Sequence, residues 1–155
     1  MTRLAVLLST FGYAGLFPFA PGTVGSLAGL VVYAGLGWSG ASSSGLAAAI
    51  AVVFGAGIWS ATAAERHFGA TDPGPVVIDE VAGMLITLFL VPVSVTGAAA
   101  GFVLFRLFDI VKPFPAGRLE RLPGGLGVMC DDAMAGLYAN MCLRALWWAM
   151  PAWIV

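Results

Sequence analysis

From Gly45 to Ala64 the chain runs for 20 residues, GLAAAIAVVFGAGIWSATAA, without a charged side chain. At about 1.5 Å per residue a helix of that length spans roughly 30 Å, the hydrocarbon thickness of a bilayer. The run therefore predicts a transmembrane helix, and the rest of the fold has to be compatible with lipid. Composition agrees: 60% of the residues are hydrophobic, against about 45–50% in ordinary soluble domains. The mean hydropathy is +0.96, and 21 glycines suit close helix packing in lipid. A net charge of −1 carries no basic surplus, which argues against a nucleic-acid partner.

Four further segments read as candidate spans: Val24–Trp38, Asp79–Val91, Gly97–Val111 and Asp131–Val155. The last ends with Trp147, Trp148 and Trp153, an arrangement suited to a membrane interface. Residues 4–20 follow Arg3 and are interrupted by Gly12, Gly15 and Pro18. They read as a helix lying in or entering the interface, rather than as a cleaved signal peptide. Pro92 and Pro113 are natural stops. The sequence has neither an internal repeat nor a second domain, so residues 1–155 are expected to form one all-α domain. That domain is a compact helical membrane fold of about five to six helices.

Alternate threading of these spans puts residues 1–23 and linkers 65–75 and 113–127 on one side. Arg3, Arg66, Lys112, Arg118 and Arg121 lie there, whereas linkers 39–44 and 93–97 are uncharged. The positive-inside rule makes the charged side cytoplasmic. The same threading gathers Asp79, Glu80, Asp109, Lys112, Asp131 and Asp132 at the cytoplasmic ends of three helices. Arg144 fits less easily, about 18 Å along a helix from Asp132; it snorkels outward, or the last segment is tilted or does not span.

Acids are scarce, eight in all, and four form the adjacent pairs Asp79-Glu80 and Asp131-Asp132 inside apolar sequence. Charge is costly there unless it is paired, metal-bound or functional. Together with Asp109 these pairs offer the oxygen ligands that hard divalent cations prefer, and a cation relieves their mutual repulsion. Solvated helix caps are the bland alternative. Arg106, Asp109 and Lys112 recur every three residues along one helix and suit phosphate binding, or else a simple intrahelical ion pair. Pro21, Gly22 and Thr23 precede a probable helix start whose amides can hold an anion. That element is not a P-loop, since no Lys follows the glycines. The glycine-rich stretch 123–132 reads as a tight turn delivering Asp131 and Asp132.

His67 sits in a polar linker, and its expected role is at the surface. Cys130 and Cys142 form neither a metal-type pair nor a phosphatase signature. No nucleophile elbow is present. Hydrolysis by metal-activated water is what remains, with an aspartyl-phosphate route through Asp109 or Asp79 as its alternative. An inactive lipid-binding protein and a cation transporter are the competing classes; a transporter would spread its acids through the membrane depth.

Four blocks, FGYAGLFPFAPGTVGSLAGL, VVIDEVAGMLITL, GFVLFRLFDIVKPFP and GGLGVMCDDAMAGLYAN, occur in the order of the phosphatidylglycerophosphatase A family, which the chain resembles over residues 9–140. The resemblance implies a Mg2+-dependent phosphatase of the bacterial inner membrane, with a membrane phospholipid as substrate. The implied reaction converts phosphatidylglycerophosphate to phosphatidylglycerol and phosphate; another lipid phosphomonoester is the alternative substrate. It further implies Asp79, Glu80, Asp109, Asp131 and Asp132 as metal ligands. Gly22, Thr23, Arg106 and Lys112 fall at phosphate-binding positions, and Asp79, Asp109 and Lys112 at catalytic ones. The linker around Arg66–Gly74 reads as ordinary.

Overall fold

Serines at the ends of two linkers start the helices that follow. Ser42 accepts a hydrogen bond from the Gly45 amide at 3.3 Å, and Ser94 accepts one from the Gly97 amide at 3.2 Å. Each bond satisfies one of the amides that a helix start leaves unpaired. Pro21 takes the first position of another helix, where its missing N–H costs nothing. The computed structural model describes residues 2–154, apart from the side chain of Trp153. Its helices are α1 (Thr2–Ser9), α2 (Pro21–Trp38), α3 (Ser43–Phe68), α4 (Ile78–Leu88), α5 (Val95–Val111), α6 (Ala116–Leu119), α7 (Gly125–Ala149) and α8 (Pro151–Ile154). A 3-10 turn covers Ala14–Leu16, and no strand occurs among the described residues. The fold is all-α as expected. The four-residue helices α6 and α8 account for elements beyond the five to six foreseen.

At the centre lies α4, packed by α2, α3, α5 and α7. Nine of its 11 residues are buried. At about 16 Å it reaches only some halfway through a hydrocarbon core, so the expected span Asp79–Val91 is a half-length helix. Its last carbonyls are closed off from within the protein. Asn140 Nδ2 donates to the Ile86, Thr87 and Phe89 carbonyls at 3.2, 2.8 and 2.9 Å. Arg144 donates from Nη2 to the Phe89 carbonyl at 3.0 Å and from Nε to Asn140 Oδ1 at 2.8 Å. Arg144 thus turns inward to cap α4, a use that sequence spacing did not suggest.

Small residues let the helices around α4 approach it closely. A Cβ on Gly25 of α2 would sit 2.7 Å from Val77 Cβ and 3.3 Å from Glu80 Cβ. A Cβ on Gly136 of α7 would strike the Gly83 carbonyl. Gly25→Val is therefore expected to destabilise the fold by about 1–3 kcal/mol through overpacking. A lowered thermal midpoint in detergent would register it.

The outer surface is apolar. Leu27, Val31, Val52, Trp59, Val103, Met141 and Trp148 are large exposed hydrophobics, more than a soluble monomer usually scatters over its surface. Among the described residues α3 is the helix long and apolar enough to cross a membrane. Trp148 is exposed at the end of α7 and Trp147 is half-buried, while the side chain of Trp153 lies outside the described residues.

Candidate active site

The starts of α2 and α4, the end of α5, the loop after α3 and the second turn of α7 meet around one cavity of about 360 Å³. Gly22, Asp72, Asp79, Glu80, Arg106, Asp109, Lys112, Asp131 and Asp132 all line it. Six carboxylates thus face two basic side chains, an excess of four negative charges if all ionise. Asp79 and Glu80 occupy the first turn of α4, where the helix dipole favours anions. Asp131 and Asp132 are each only 3% exposed, so they are not solvated caps.

The carboxylates divide into two kinds. Asp109 Oδ2 is 2.6 Å from Arg106 Nη1, and Asp131 Oδ2 accepts from Lys112 Nζ at 2.6 Å. Lys112 also reaches Glu120 Oε1 at 3.3 Å, and Arg106 lies 3.9 Å from Glu80 Oε1. Burial opposes the charge on Lys112, but the hydrogen bond and charge of Asp131, with Glu120 behind them, hold its pKa above the ordinary lysine value. By contrast, Asp79, Glu80 and Asp132 offer oxygens that all lie within 4.8 Å of one another. Asp79 Oδ1, Glu80 Oε2, Asp131 Oδ1 and Asp132 Oδ2 are buried without a hydrogen-bond partner. Buried acceptors are rarely left unpartnered, and an ion or an ordered water is what meets them. An all-oxygen, anionic donor set of this size fits a hard divalent cation.

Backbone strain gathers at the same place. Ala20, Asp72 and Lys112 line the cavity and all have left-handed backbones, with φ of 45°, 44° and 46°. Non-glycine residues hold such a conformation at a cost of about 1–3 kcal/mol, and they cluster at functional sites.

Several expectations need correction in detail. Thr23 is half-buried but is not among the cavity-lining residues, because one residue along a helix turns it about 100° away from Gly22. Gly22 itself is pressed so close to Glu80 and Arg106 that a Cβ would collide with both. Residues 125–132 are helix rather than turn: Thr62 Oγ1 accepts from the Gly125 amide at 2.8 Å and starts α7 there. The linker after α3 is not ordinary, since Asp72 belongs to the cavity. Glu65 Oε1 accepts from the Asp72 amide at 3.2 Å and holds the turn. Burial lifts the Asp72 carboxyl above the usual range, and Lys112 partly draws it back. The available signal was an acid followed by Pro73-Gly74 just ahead of the Asp79-Glu80 pair. His67 is exposed and lies beside Arg3 and Tyr13, apart from the acids. Cys130 and Cys142 are free thiols outside the cavity lining.

The family model for phosphatidylglycerophosphatase A matches residues 7–147. A Bacteroides thetaiotaomicron protein with the provisional name phosphatidylinositol-3-phosphatase is 39% identical over 153 residues, covering 95% of this chain and 96% of that one. The phosphatidylglycerophosphatase A of Haemophilus influenzae is 37% identical, over 94% of this chain and 90% of its own. That of Escherichia coli is 36% identical, over 80% and 72%. No solved structure matches the chain.

Proposed function

The chain belongs to the phosphatidylglycerophosphatase A family, and on that premise we propose that it is a Mg2+-dependent membrane enzyme converting phosphatidylglycerophosphate to phosphatidylglycerol and inorganic phosphate. It is a phosphoric monoester hydrolase. The observation that carries the metal-dependent reading is the convergence of Asp79, Glu80 and Asp132, with unpartnered buried oxygens, beside Arg106 and Lys112. In this reading the site faces the cytoplasm of a bacterial inner membrane, and the reaction serves phospholipid synthesis. The apolar helix α3 and the apolar outer surface support membrane association.

Asp79, Glu80 and Asp132 would hold the cation. When bound, it would polarise the phosphoryl oxygens and make water a better nucleophile. Arg106 and Lys112 receive the phosphomonoester, Arg106 as a fork and Lys112 as a point charge. Their partners Asp109 and Asp131 keep both side chains aimed into the cavity while it is empty of substrate. The first turn of α2 adds its dipole at Gly22. Water attacks phosphorus in line, and Asp109, at the Arg106 end of the cavity, takes its proton. The bond from phosphorus to the glycerol oxygen breaks, and a proton returned to that oxygen completes the alcohol.

Arg106→Lys keeps the charge but loses the fork. It is expected to raise KM for the lipid about tenfold or more, with a smaller change in kcat. Steady-state phosphate release in mixed micelles measures both. An unchanged KM would remove Arg106 from the phosphate. The name carried by the Bacteroides relative favours a second reading in which the headgroup is a phosphoinositide. A panel of phosphatidylglycerophosphate, phosphatidylinositol 3-phosphate and phosphatidic acid, ranked by kcat/KM, decides between them.

A further inference from the structure

A phospholipid phosphatase has to take a charged headgroup into a polar cavity while two acyl chains stay in lipid, so the route between the two is part of recognition. On α5, Val103, Leu107 and Ile110 are all exposed. Their spacing of four and three puts them on one helix face. The stripe is uncharged and runs for about 10 Å. Ile110 belongs to both surfaces, since it lines the acidic cavity and is 72% exposed. Arg106 and Asp109 lie on the neighbouring face of the same helix and point into the cavity. Ala20 and Pro21 also line the cavity, next to Phe19, which is 76% exposed.

We propose that the cavity opens sideways into lipid between Pro21 and Ile110, and that the acyl chains of the substrate lie along the Val103–Leu107–Ile110 stripe of α5. This rests on the phosphatase reading above. The occupant is set by continuity: Ile110 joins the cavity that holds Arg106 and Lys112 to the exposed apolar face of α5, so an apolar tail on a phosphate bound there meets that face. The stripe therefore selects a phosphomonoester carrying acyl chains over the same headgroup without them.

The test compares two substrates on the full-length chain in detergent micelles with Mg2+: diacyl phosphatidylglycerophosphate, and its water-soluble deacylated headgroup. The readout is the ratio of the two kcat/KM values. Wild type is expected to favour the diacyl substrate strongly. Ile110→Asn is expected to cut that ratio about tenfold, the value of one well-packed aliphatic contact, and Ile110→Leu to restore it. Val103→Asn, distant from the cavity, gives a second reading should Ile110→Asn fold poorly. A ratio unchanged in Ile110→Asn and Val103→Asn would overturn the proposal. So would equal loss on both substrates together with a change in oligomeric state, which would assign the stripe to a second copy of the chain. Should wild type hydrolyse neither substrate, phosphatidylglycerophosphate is not its headgroup, and the acyl path proposed for that lipid falls with it.

Discussion

Asp132→Asn is expected to lower Mg2+-dependent phosphate release by about a thousandfold while leaving the chain folded. Asp132 supplies one of the three carboxylates whose oxygens lie within 4.8 Å of each other, and its Oδ2 has no other partner. Removing it takes away a ligand and a unit of charge from a cation asked to stabilise the transition state by several kcal/mol, and each 1.4 kcal/mol is tenfold in rate. The same substitution also relieves repulsion among buried acids. Without divalent cation the variant should therefore unfold at a higher temperature than wild type, and with Mg2+ it should lose the stabilisation that wild type gains by binding. Activity measured with Mg2+ and melting measured without it thus move in opposite directions. A structural role alone would lower both. Phosphate release and thermal unfolding in detergent, each with and without Mg2+, separate the two.

Asn140→Leu should have the largest effect on the fold. The side chain is nearly isosteric, yet it would abandon three carbonyls at the end of α4 and the anchor for Arg144 Nε. Each buried polar group left unpaired costs about 1–3 kcal/mol, so a loss of roughly 3 kcal/mol or more is expected, with a clear drop in thermal midpoint. The Phe89 carbonyl keeps its bond from Arg144 and the Ile86 carbonyl its bond from the Phe89 amide, so the Thr87 carbonyl and Arg144 Nε are the groups left unpaired. Because α4 carries Asp79 and Glu80 at its other end, activity should fall with the fold rather than ahead of it. Asn140→Asp, which keeps Oδ1 for Arg144 but no longer donates to the carbonyls, should be nearly as damaging. If Asn140→Leu melts like wild type, the half-length helix does not depend on this cap.

The sequence carried the parts of the account that depend on local chemistry. Acidic pairs in apolar surroundings, and three charged residues repeating along one helix, marked residues that the fold then brings to one cavity. What it hid was set by contacts distant in the chain. The end of α4 is fixed by Asn140, which lies more than 50 residues away, whereas local hydropathy runs on to Val91. The start of α7 is fixed by Thr62, so a glycine-rich stretch that reads as turn becomes helix against its low propensity. Asp72 reaches the cavity because Glu65 holds its amide in a left-handed turn, and nothing in the string TDPGP reports that partner. Thr23 lies outside the cavity lining for a simpler reason: proximity in sequence to Gly22 does not place it on the same side of α2.

The most direct test is a divalent-cation titration of the chelator-stripped protein, with Mn2+ bound per chain followed by paramagnetic resonance and phosphate release followed with Mg2+. Saturable binding should appear in wild type, phosphate release should rise from near zero over the Mg2+ titration, and both should be lost in the Asp79→Asn/Asp132→Asn double variant. Full phosphate release by the stripped protein, or by that double variant, would contradict the assignment of these acids as the cation site of the enzyme.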